Sequence, residues 1–244
     1  IMESILSFDV IFSFLTLSVL EIVLGIDNLI FIALVVQKLP KNIQKKVRLI
    51  GLSLALIMRV MMLLGIAWIM SLTKPILTVI DVGYSVKDML LLAGGLFLIA
   101  KSTLEMHADL AGKEEQREIK ARQGFISAII QIIIIDLVFS FDSVITAVGM
   151  TTNIPVIIAA MTVAMIVMVV ASGYIAHFLK EHPTFKMLAL SFILMIGILL
   201  LAEGMHYHVP RGYIYFAFTF SIFVEAMNTV ARSKSQKRSV KKRK

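Results

Sequence analysis

The feature that most constrains this chain is a series of long apolar runs, each matched in length to a lipid bilayer. The first run covers about 10–36, whereas a helix needs about 20 apolar residues to cross a bilayer core. Hydrophobic residues make up 59% of the chain and charged residues 16%, against about 25% charged residues in an ordinary soluble domain. The sequence therefore predicts a polytopic membrane protein rather than a soluble fold with a large core.

Seven runs are long enough to be membrane-spanning helices, which places the chain in the all-α class. They cover about 10–36, 48–71, 87–104, 124–149, 154–179, 186–205 and 212–231. Four of the five prolines fall between these runs, and Pro155 is the second residue of the fifth run, as expected of a residue that is tolerated in the first turn of a helix but not in its interior. We therefore expect seven transmembrane helices.

Basic residues flank the runs and predict their orientation. The connections after runs one, three and five and the C-terminal tail are rich in Lys and Arg, whereas the opposite side has only Lys74, Lys87 and Arg211. Because short cytoplasmic loops carry the excess of Lys and Arg, we expect the N-terminus outside and the C-terminus in the cytoplasm. The net charge of +8 is thereby explained by topology, and no nucleic-acid partner is expected.

The halves of the chain resemble each other. Lys87 to His107 parallels Lys186 to His206 without a gap, and runs one and four share an acidic motif. Three runs per half is an odd number, so the second half must enter the membrane from the opposite side. This predicts a 3+3 inverted repeat, the plan of many secondary transporters, with a seventh helix outside it.

The predicted organisation is one transmembrane domain, 1–232, followed by a basic tail. Repeat one covers about 10–104 and repeat two about 124–205, and the charged stretch 105–123 is expected to be a cytoplasmic linker. The seventh helix covers about 212–231. The tail, 233–244, is basic and of low complexity, so we expect it to be disordered in the cytoplasm.

The shared motif places two carboxylates inside each of two apolar runs. The copies read Glu21-Ile-Val-Leu-Gly-Ile-Asp27-Asn28 and Asp136-Leu-Val-Phe-Ser-Phe-Asp142-Ser143. An acid at the centre of a membrane helix costs at least about 2.5 kcal/mol and marks a functional site by default. Two copies in corresponding places indicate a site made by duplication.

An ideal helix would not direct both acids of a motif to the same side. Successive residues are about 100° apart, so Asp27 points away from the face shared by Glu21, Gly25 and Asn28. Either a neighbouring helix packs on Gly25 and on the corresponding Ser140, with the acids flanking it, or the helix is unwound near Gly25.

The ligand atoms of the two motifs favour a hard divalent cation. Pooled, the motifs offer four carboxylates, an amide and a hydroxyl, and the chain has no cysteine. Oxygen ligands of this kind suit Mn²⁺, Mg²⁺ or Ca²⁺ and disfavour Cu⁺ or Zn²⁺. The predicted metal ligands are Glu21, Asp27, Asn28, Asp136, Asp142 and Ser143. The alternative is a network of hydrogen bonds between protonated acids.

Four further polar residues within the runs are weaker candidates for the pathway or for a counter-charge. Arg59, central in run two, either pairs with an acid of the site or forms a structural ion pair elsewhere. Lys101 lies near a helix end, from which its ammonium can reach the interface. Glu203 lines an exit path or belongs to an interfacial cluster, and Glu225 faces either the pathway or the surroundings.

At these motifs the sequence resembles the TerC family of bacterial integral membrane proteins. The resemblance covers nearly the whole chain and includes both acidic motifs, His182-Pro-Thr-Phe-Lys-Met-Leu-Ala-Leu-Ser-Phe192 and Pro210-Arg-Gly-Tyr-Ile-Tyr-Phe216. It implies a seven-helix fold related to the LysE transporter superfamily, an inner-membrane location, and export of Mn²⁺. It also implies a historical link to tellurite resistance. The chain looks most like the short members, which lack appended cytosolic domains.

The leading hypothesis is a secondary exporter that moves Mn²⁺, with Ca²⁺ or Mg²⁺ as alternative substrates and protons exchanged on the same carboxylates. No Gly-rich ATP-binding motif is present. The alternatives are a Ca²⁺/H⁺ exchanger of the same architecture and a membrane partner that assists metal loading of secreted proteins. An enzyme is not expected, because the Gly-x-Gly-Asp and His-Glu-x-x-His signatures are absent. The expected partners are a divalent ion and the lipid bilayer. The sequence leaves open whether the chain forms an oligomer.

Overall fold

The structure is a computed structural model that describes residues 8–66, 70, 72–79, 82–111 and 121–242, without the side chains of 8, 9, 79, 121–123, 142 and 232–242. These ranges contain the helices α1 (Phe8–Leu24), α2 (Ile26–Gln37), α3 (Lys41–Leu64), α4 (Val86–Leu110), α5 (Ala121–Met150), α6 (Ile154–Glu181), α7 (Pro183–Gly204) and α8 (Arg211–Lys242). A hairpin of β1 (Pro75–Val79) and β2 (Val82–Ser85) lies between α3 and α4.

Six helices, α3 to α8, are each long and apolar enough to cross a membrane. In α8 the part that meets this condition is Arg211–Ala231. The helices α1 and α2 meet it only as a pair, which is bent by 45°. The all-α polytopic fold predicted from the apolar runs is confirmed, and the first run is a bent pair of helices, of the kind seen in a broken span or a re-entrant loop.

The second predicted span, 48–71, begins seven residues inside helix α3, and 67–69 and 71 at its other end lie outside the described residues. Helix α3 begins at Lys41 and ends at Leu64, so Lys41, Lys45, Lys46 and Arg48 of the first connection lie in its first turns, whereas Lys38 directly follows α2. The helix ends where Gly65 departs from helical geometry while its N–H still donates to the Met61 carbonyl at 2.9 Å. Hydropathy alone places the boundary wrongly because basic side chains are good helix formers.

The hairpin is not among the sequence predictions, in which 72–86 is only the connection between the second and third runs. Its strands are antiparallel, with Pro75 opposite Ser85 and Val79 opposite Val82. Ser85 then begins α4, because its hydroxyl accepts the Asp88 N–H at 3.2 Å and the Asp88 carboxylate accepts the Ser85 N–H at 2.8 Å. This reciprocal capping box fixes the start of the helix.

The predicted linker, 105–123, and the basic tail, 233–244, are more helical than expected. Helix α8 continues to Lys242, so the tail predicted to be disordered is helical along its described backbone. No Gly or Pro follows Gly212, and the Lys, Arg and Gln of the tail are favourable in helices. The predicted linker, 105–123, is shortened at both ends by α4 and α5, and 112–120 lies outside the described residues.

The packing of the helices follows the pairing that an inverted repeat requires. A two-fold operation on the halves exchanges the first span with α5, α3 with α6, and α4 with α7. The α1–α2 span packs against α6, and the exchanged pair, α5 and α3, also packs together. The most extensive contact is between α4 and α7, which the operation would exchange with each other. Helix α2 lies centrally, with buried side chains from Asp27 to Val36.

Two glycines allow α4 and α7 to approach closely. A Cβ on Gly95 would lie 2.7 Å from the Gly197 carbonyl oxygen, and a Cβ on Gly197 would lie 3.0 Å from the Gly95 carbonyl oxygen. Each glycine therefore contacts the backbone of the other helix. Such small-residue contacts are a main means of helix association in membranes.

We expect Gly95→Ala to lower the unfolding temperature of the purified protein in detergent, because the added methyl group would meet backbone atoms that cannot rotate away. The expected cost is about 1–3 kcal/mol, as for overpacking elsewhere. Gly149→Ala in α5 is the control, since no heavy atom lies within 4 Å of a Cβ added there. Equal unfolding temperatures for the two variants would contradict the close approach of α4 and α7.

Candidate functional site

The first acidic motif lies at the bend between α1 and α2. Gly25 is the residue between the two helices, and its N–H still donates to the Glu21 carbonyl at 2.9 Å. A Cβ on Gly25 would lie 2.7 Å from the sulfur of Met168 in α6. The bend and the close neighbour, which the sequence offered as alternatives, therefore occur together. Helix α5 runs through Ser140 without a break.

The centre of the site is an ion-paired triad of Glu21, Arg59 and Asp136. Arg59 Nη1 lies 2.7 Å from Glu21 Oε2, and Arg59 Nη2 lies 2.8 Å from Asp136 Oδ1. Arg59 Nε also donates to Asp136 Oδ1 at 3.2 Å. The carboxylates are each 1% exposed and Arg59 is 3% exposed. One guanidinium thus joins the first acids of both motifs, which α1 and α5 supply.

Small polar side chains complete the shell around Asp136. The Asn28 amide donates to Asp136 Oδ1, and the Ser140 hydroxyl donates to Asp136 Oδ2 at 3.1 Å. Ser143 is buried, but its hydroxyl donates to the Ser140 carbonyl at 3.3 Å. Asp136 therefore accepts hydrogen bonds from residues of both motifs, which ties the first span to the fourth.

Asp27 is directed to another side of the site. Its Oδ2 accepts a hydrogen bond from the Tyr215 hydroxyl of α8 at 3.3 Å, and Arg211 acts on it electrostatically. The separation follows from helix geometry, because Asp27 and Asn28 differ by about 100° around the axis. Among the described residues, no three His, Asp or Glu side chains are grouped closely enough to hold a metal ion.

The predicted ligand set therefore stays a prediction, and the structure divides it into parts. Glu21, Asn28 and Asp136 lie in the network around Arg59, whereas Asp27 contacts α8. The side chain of Asp142 lies outside the described residues.

Several buried oxygens of this region have no hydrogen-bond partner among the described residues. They are Glu21 Oε1, Asp27 Oδ1 and Asn28 Oδ1, which belong to three of the six predicted ligands. A buried polar atom without a partner is costly and needs an explanation, such as a bound cation, a proton or a water. The first motif thus has spare coordinating capacity.

The remaining candidates lie in other polar contacts. Lys101 pairs with Glu105 at 2.9 Å, and Lys38 contacts the same carboxylate. Glu203 pairs with Arg211 at 3.4 Å. Glu225 Oε2 accepts a hydrogen bond from the Asn228 amide at 3.4 Å. None of these contacts connects Lys101, Glu203 or Glu225 to the triad.

Two residues of the site were not found by sequence reasoning. Met168 has the appearance of an ordinary apolar residue in α6, and nothing in the sequence indicates that it packs on Gly25. The sequence did contain an indication of Tyr215, because this residue lies in the stretch Pro210-Arg-Gly-Tyr-Ile-Tyr-Phe216, which carries part of the family resemblance. Its phenol provides the hydrogen bond that Asp27 accepts.

Comparisons with known proteins find relatives along nearly the whole chain. A family model described as "Integral membrane protein TerC family" matches residues 6–240. The UPF0053 inner membrane protein YgdQ of Escherichia coli K12 is 46% identical over 220 residues, which cover 90% of this chain and 92% of YgdQ. A UPF0053 protein of Haemophilus influenzae is 47% identical over 217 residues, covering 88% of this chain and 92% of that protein.

A longer relative matches over only part of its length. The UPF0053 inner membrane protein YoaE of Escherichia coli K12 is 50% identical over 219 residues, which cover 89% of this chain but 42% of YoaE. No solved structure matches. Since the family model and these relatives cover nearly all of the transmembrane region, the chain belongs to the TerC family of integral membrane proteins.

Proposed function

We propose that the chain is a secondary transporter that exports a divalent cation, with Mn²⁺ as the preferred substrate, through the site around Arg59. The observation that carries the proposal is the placement of one buried guanidinium between Glu21 and Asp136. These carboxylates occupy corresponding positions in two halves that pack as an inverted repeat would. A site of this origin near the membrane midplane is typical of secondary transporters.

The charges of the triad support a cationic substrate. Two ionised carboxylates and one guanidinium leave a net negative charge in a buried place, and a buried charge is costly unless it is paired. Protons or a second cation would relieve this excess. A protein that only needed a structural ion pair would be served by one acid.

The ligand atoms support a hard ion. The carboxylate and amide oxygens of Glu21, Asp27 and Asn28 that lack hydrogen-bond partners are the kind of ligands that Mn²⁺, Mg²⁺ and Ca²⁺ take. The chain has no cysteine to offer a softer ligand. The choice of Mn²⁺ within this group rests on the family resemblance.

In the proposed cycle, Arg59 and the substrate ion are alternative partners of the same carboxylates. The ion would displace the guanidinium from Glu21 and Asp136 on binding, and Arg59 would return to the pair after release. Arg59 would thereby neutralise the carrier while it resets. Moving a divalent ion out against an inside-negative potential costs about 4.6 kcal/mol per 100 mV, twice the cost for one charge. Protons entering on the same carboxylates would supply this energy.

The proposed orientation places the Lys-rich connections and the tail in the cytoplasm.

The experiment that tests transport is ion uptake into inside-out membrane vesicles that contain the protein, compared for Mn²⁺, Mg²⁺ and Ca²⁺. We expect Mn²⁺ accumulation that an imposed proton gradient increases. Accumulation of Ca²⁺ alone would favour a Ca²⁺/H⁺ exchanger. No accumulation of any of these ions, with the protein present in the vesicles, would contradict transport and leave the metal-loading partner as the alternative.

A further inference from the structure

A polar cavity separate from the triad lies at the Lys-rich end of the bundle, between the beginning of α3 and the end of α6. Its volume is about 300 Å³, and its lining residues are Gln37, Lys41, Gln44, Arg48, Gly173, Ala176, His177 and Lys180. Lys41, Gln44 and Arg48 have the spacing of one face of α3, and the four residues from α6 have the spacing of one face of that helix, so these two faces oppose each other across the cavity. Arg48 and Arg59 are eleven residues apart on α3, or about 16 Å along the axis, which separates this cavity from the triad.

The charge of the cavity is of one sign. Lys41, Arg48 and Lys180 line it together with His177, and no acid is among the lining residues. The nearest acid on α6, Glu181, pairs with His177 at 3.2 Å. The other three cations have no ion pair or hydrogen bond from their side chains within the described part of the chain. Such a concentration of positive charge favours an anion.

The guanidinium of Arg48 occupies space that the absent side chain of Gly173 on the facing helix leaves free. A Cβ on Gly173 would lie 3.2 Å from Arg48 Nη1, so the guanidinium lies close over the backbone of α6. The residue is half-buried, and its five N–H donors meet no protein acceptor among the described residues. A guanidinium in this situation suits the oxygens of a phosphate, which accept two of its N–H bonds at once.

The surroundings of the cavity indicate where the phosphate comes from. Arg48 lies at the end of the basic first turns of α3 and Lys180 lies in the last turn of α6, and each helix contains an apolar stretch long enough to cross a membrane. We therefore expect the cavity at the membrane interface. Next to the lining residues, Leu49 and Ile50 of α3 and Tyr174 of α6 are exposed by 43%, 41% and 76%. These side chains lie on other faces of the two helices than the lining residues do, so exposed apolar surface flanks the cationic pocket, and this combination suits the acyl chains and the head group of a phospholipid.

We propose that this cavity binds the phosphate group of an anionic phospholipid. The site does not depend on the proposed transport function, since it shares no residue with the triad. A soluble phosphate has the same chemistry, and the experiment separates the two sources.

The test uses the purified full chain in detergent, with unfolding temperature and native mass spectrometry as measurements. We expect phosphatidylglycerol to raise the unfolding temperature more than phosphatidylcholine does, and one lipid to stay bound in the spectrometer. In the double variant Arg48→Gln, Lys180→Gln the apparent affinity for phosphatidylglycerol should fall about ten-fold, the loss of one or two charge-assisted hydrogen bonds.

The matched control is the double variant Lys45→Gln, Lys46→Gln, which removes the same charge from exposed positions of α3 outside the cavity. It should keep the wild-type affinity. Equal losses in the two double variants, or equal stabilisation by the two lipids, would overturn the site. Stabilisation by inorganic phosphate alone that equals the effect of phosphatidylglycerol would overturn the lipid as its source. Gly173→Ala, which adds only one methyl group beside Arg48, should weaken lipid binding without loss of folding.

Discussion

Asp136→Asn should abolish manganese efflux and leave cells as manganese-sensitive as cells without the protein. The carboxylate of Asp136 accepts hydrogen bonds from Arg59, Asn28 and Ser140, so it is the most connected acid of the site. Asn keeps the size of the side chain and removes the charge that a divalent ion needs. The substitution also makes the span less costly to insert, so the protein should still reach the membrane. The measurement is cellular manganese after a manganese challenge, with protein levels determined by blot.

The companion variants and the control make this result specific. Glu21→Gln, Asp27→Asn and Asp142→Asn remove the other predicted carboxylates one at a time, and we expect each to fail in the same assay. Glu181→Gln removes a carboxylate that is 59% exposed and far from the triad in the chain, so it should retain efflux. If Asp136→Asn is present at the normal level and lowers cellular manganese as the wild type does, the carboxylates are structural.

Arg59→Gln should reduce transport at least about ten-fold, since it removes the only described cation that contacts both Glu21 and Asp136. Loss of one partner from a buried ion pair is costly, at about 3–5 kcal/mol, because the remaining charge stays unpaired. In the proposed cycle, Glu21 and Asp136 of the variant would keep protons or metal bound in the place of the guanidinium. The return of the empty carrier would therefore be slow. The measurement is the initial rate of Mn²⁺ uptake into inside-out vesicles.

Arg59→Lys separates the effect of the positive charge from that of the guanidinium's hydrogen bonds. It keeps the positive charge but cannot direct separate N–H groups to two carboxylates as a guanidinium does. We expect transport between that of the wild type and that of Arg59→Gln. Wild-type rates in a well-folded Arg59→Gln protein would refute the role of Arg59 as the alternative partner of the acids, although the acids could still bind metal.

The sequence was sufficient to predict the spans and the acid pairs, because both depend on local properties. A helix in lipid must be apolar over its own length, so the runs around Glu21 and Asp136 are visible without any knowledge of packing. The bend in the first run was open to prediction in the same way, since Gly25 is an unfavourable residue in a helix interior. The boundaries of α3 were not, because its basic first turns are helical and yet hydrophilic.

The direction of each side chain could not be predicted, because it depends on tertiary contacts. The contact of Met168 with Gly25 involves residues far apart in the sequence, and so does the hydrogen bond from Tyr215 to Asp27. Ser140 corresponds to Gly25, but α5 continues through it. Its hydroxyl instead donates to Asp136 one turn earlier, an interaction that glycine could not provide. The two motifs are alike in sequence and different in backbone.

The measurement that tests the central proposal most directly is Mn²⁺ binding to the purified protein, followed by the electron paramagnetic resonance signal of the free ion. We predict that the wild type binds one Mn²⁺ per chain and that the binding is lost in both Glu21→Gln and Asp136→Asn. Glu181→Gln should bind as the wild type does. Unchanged Mn²⁺ binding in folded Glu21→Gln and Asp136→Asn proteins would contradict the proposal that these carboxylates hold the transported ion.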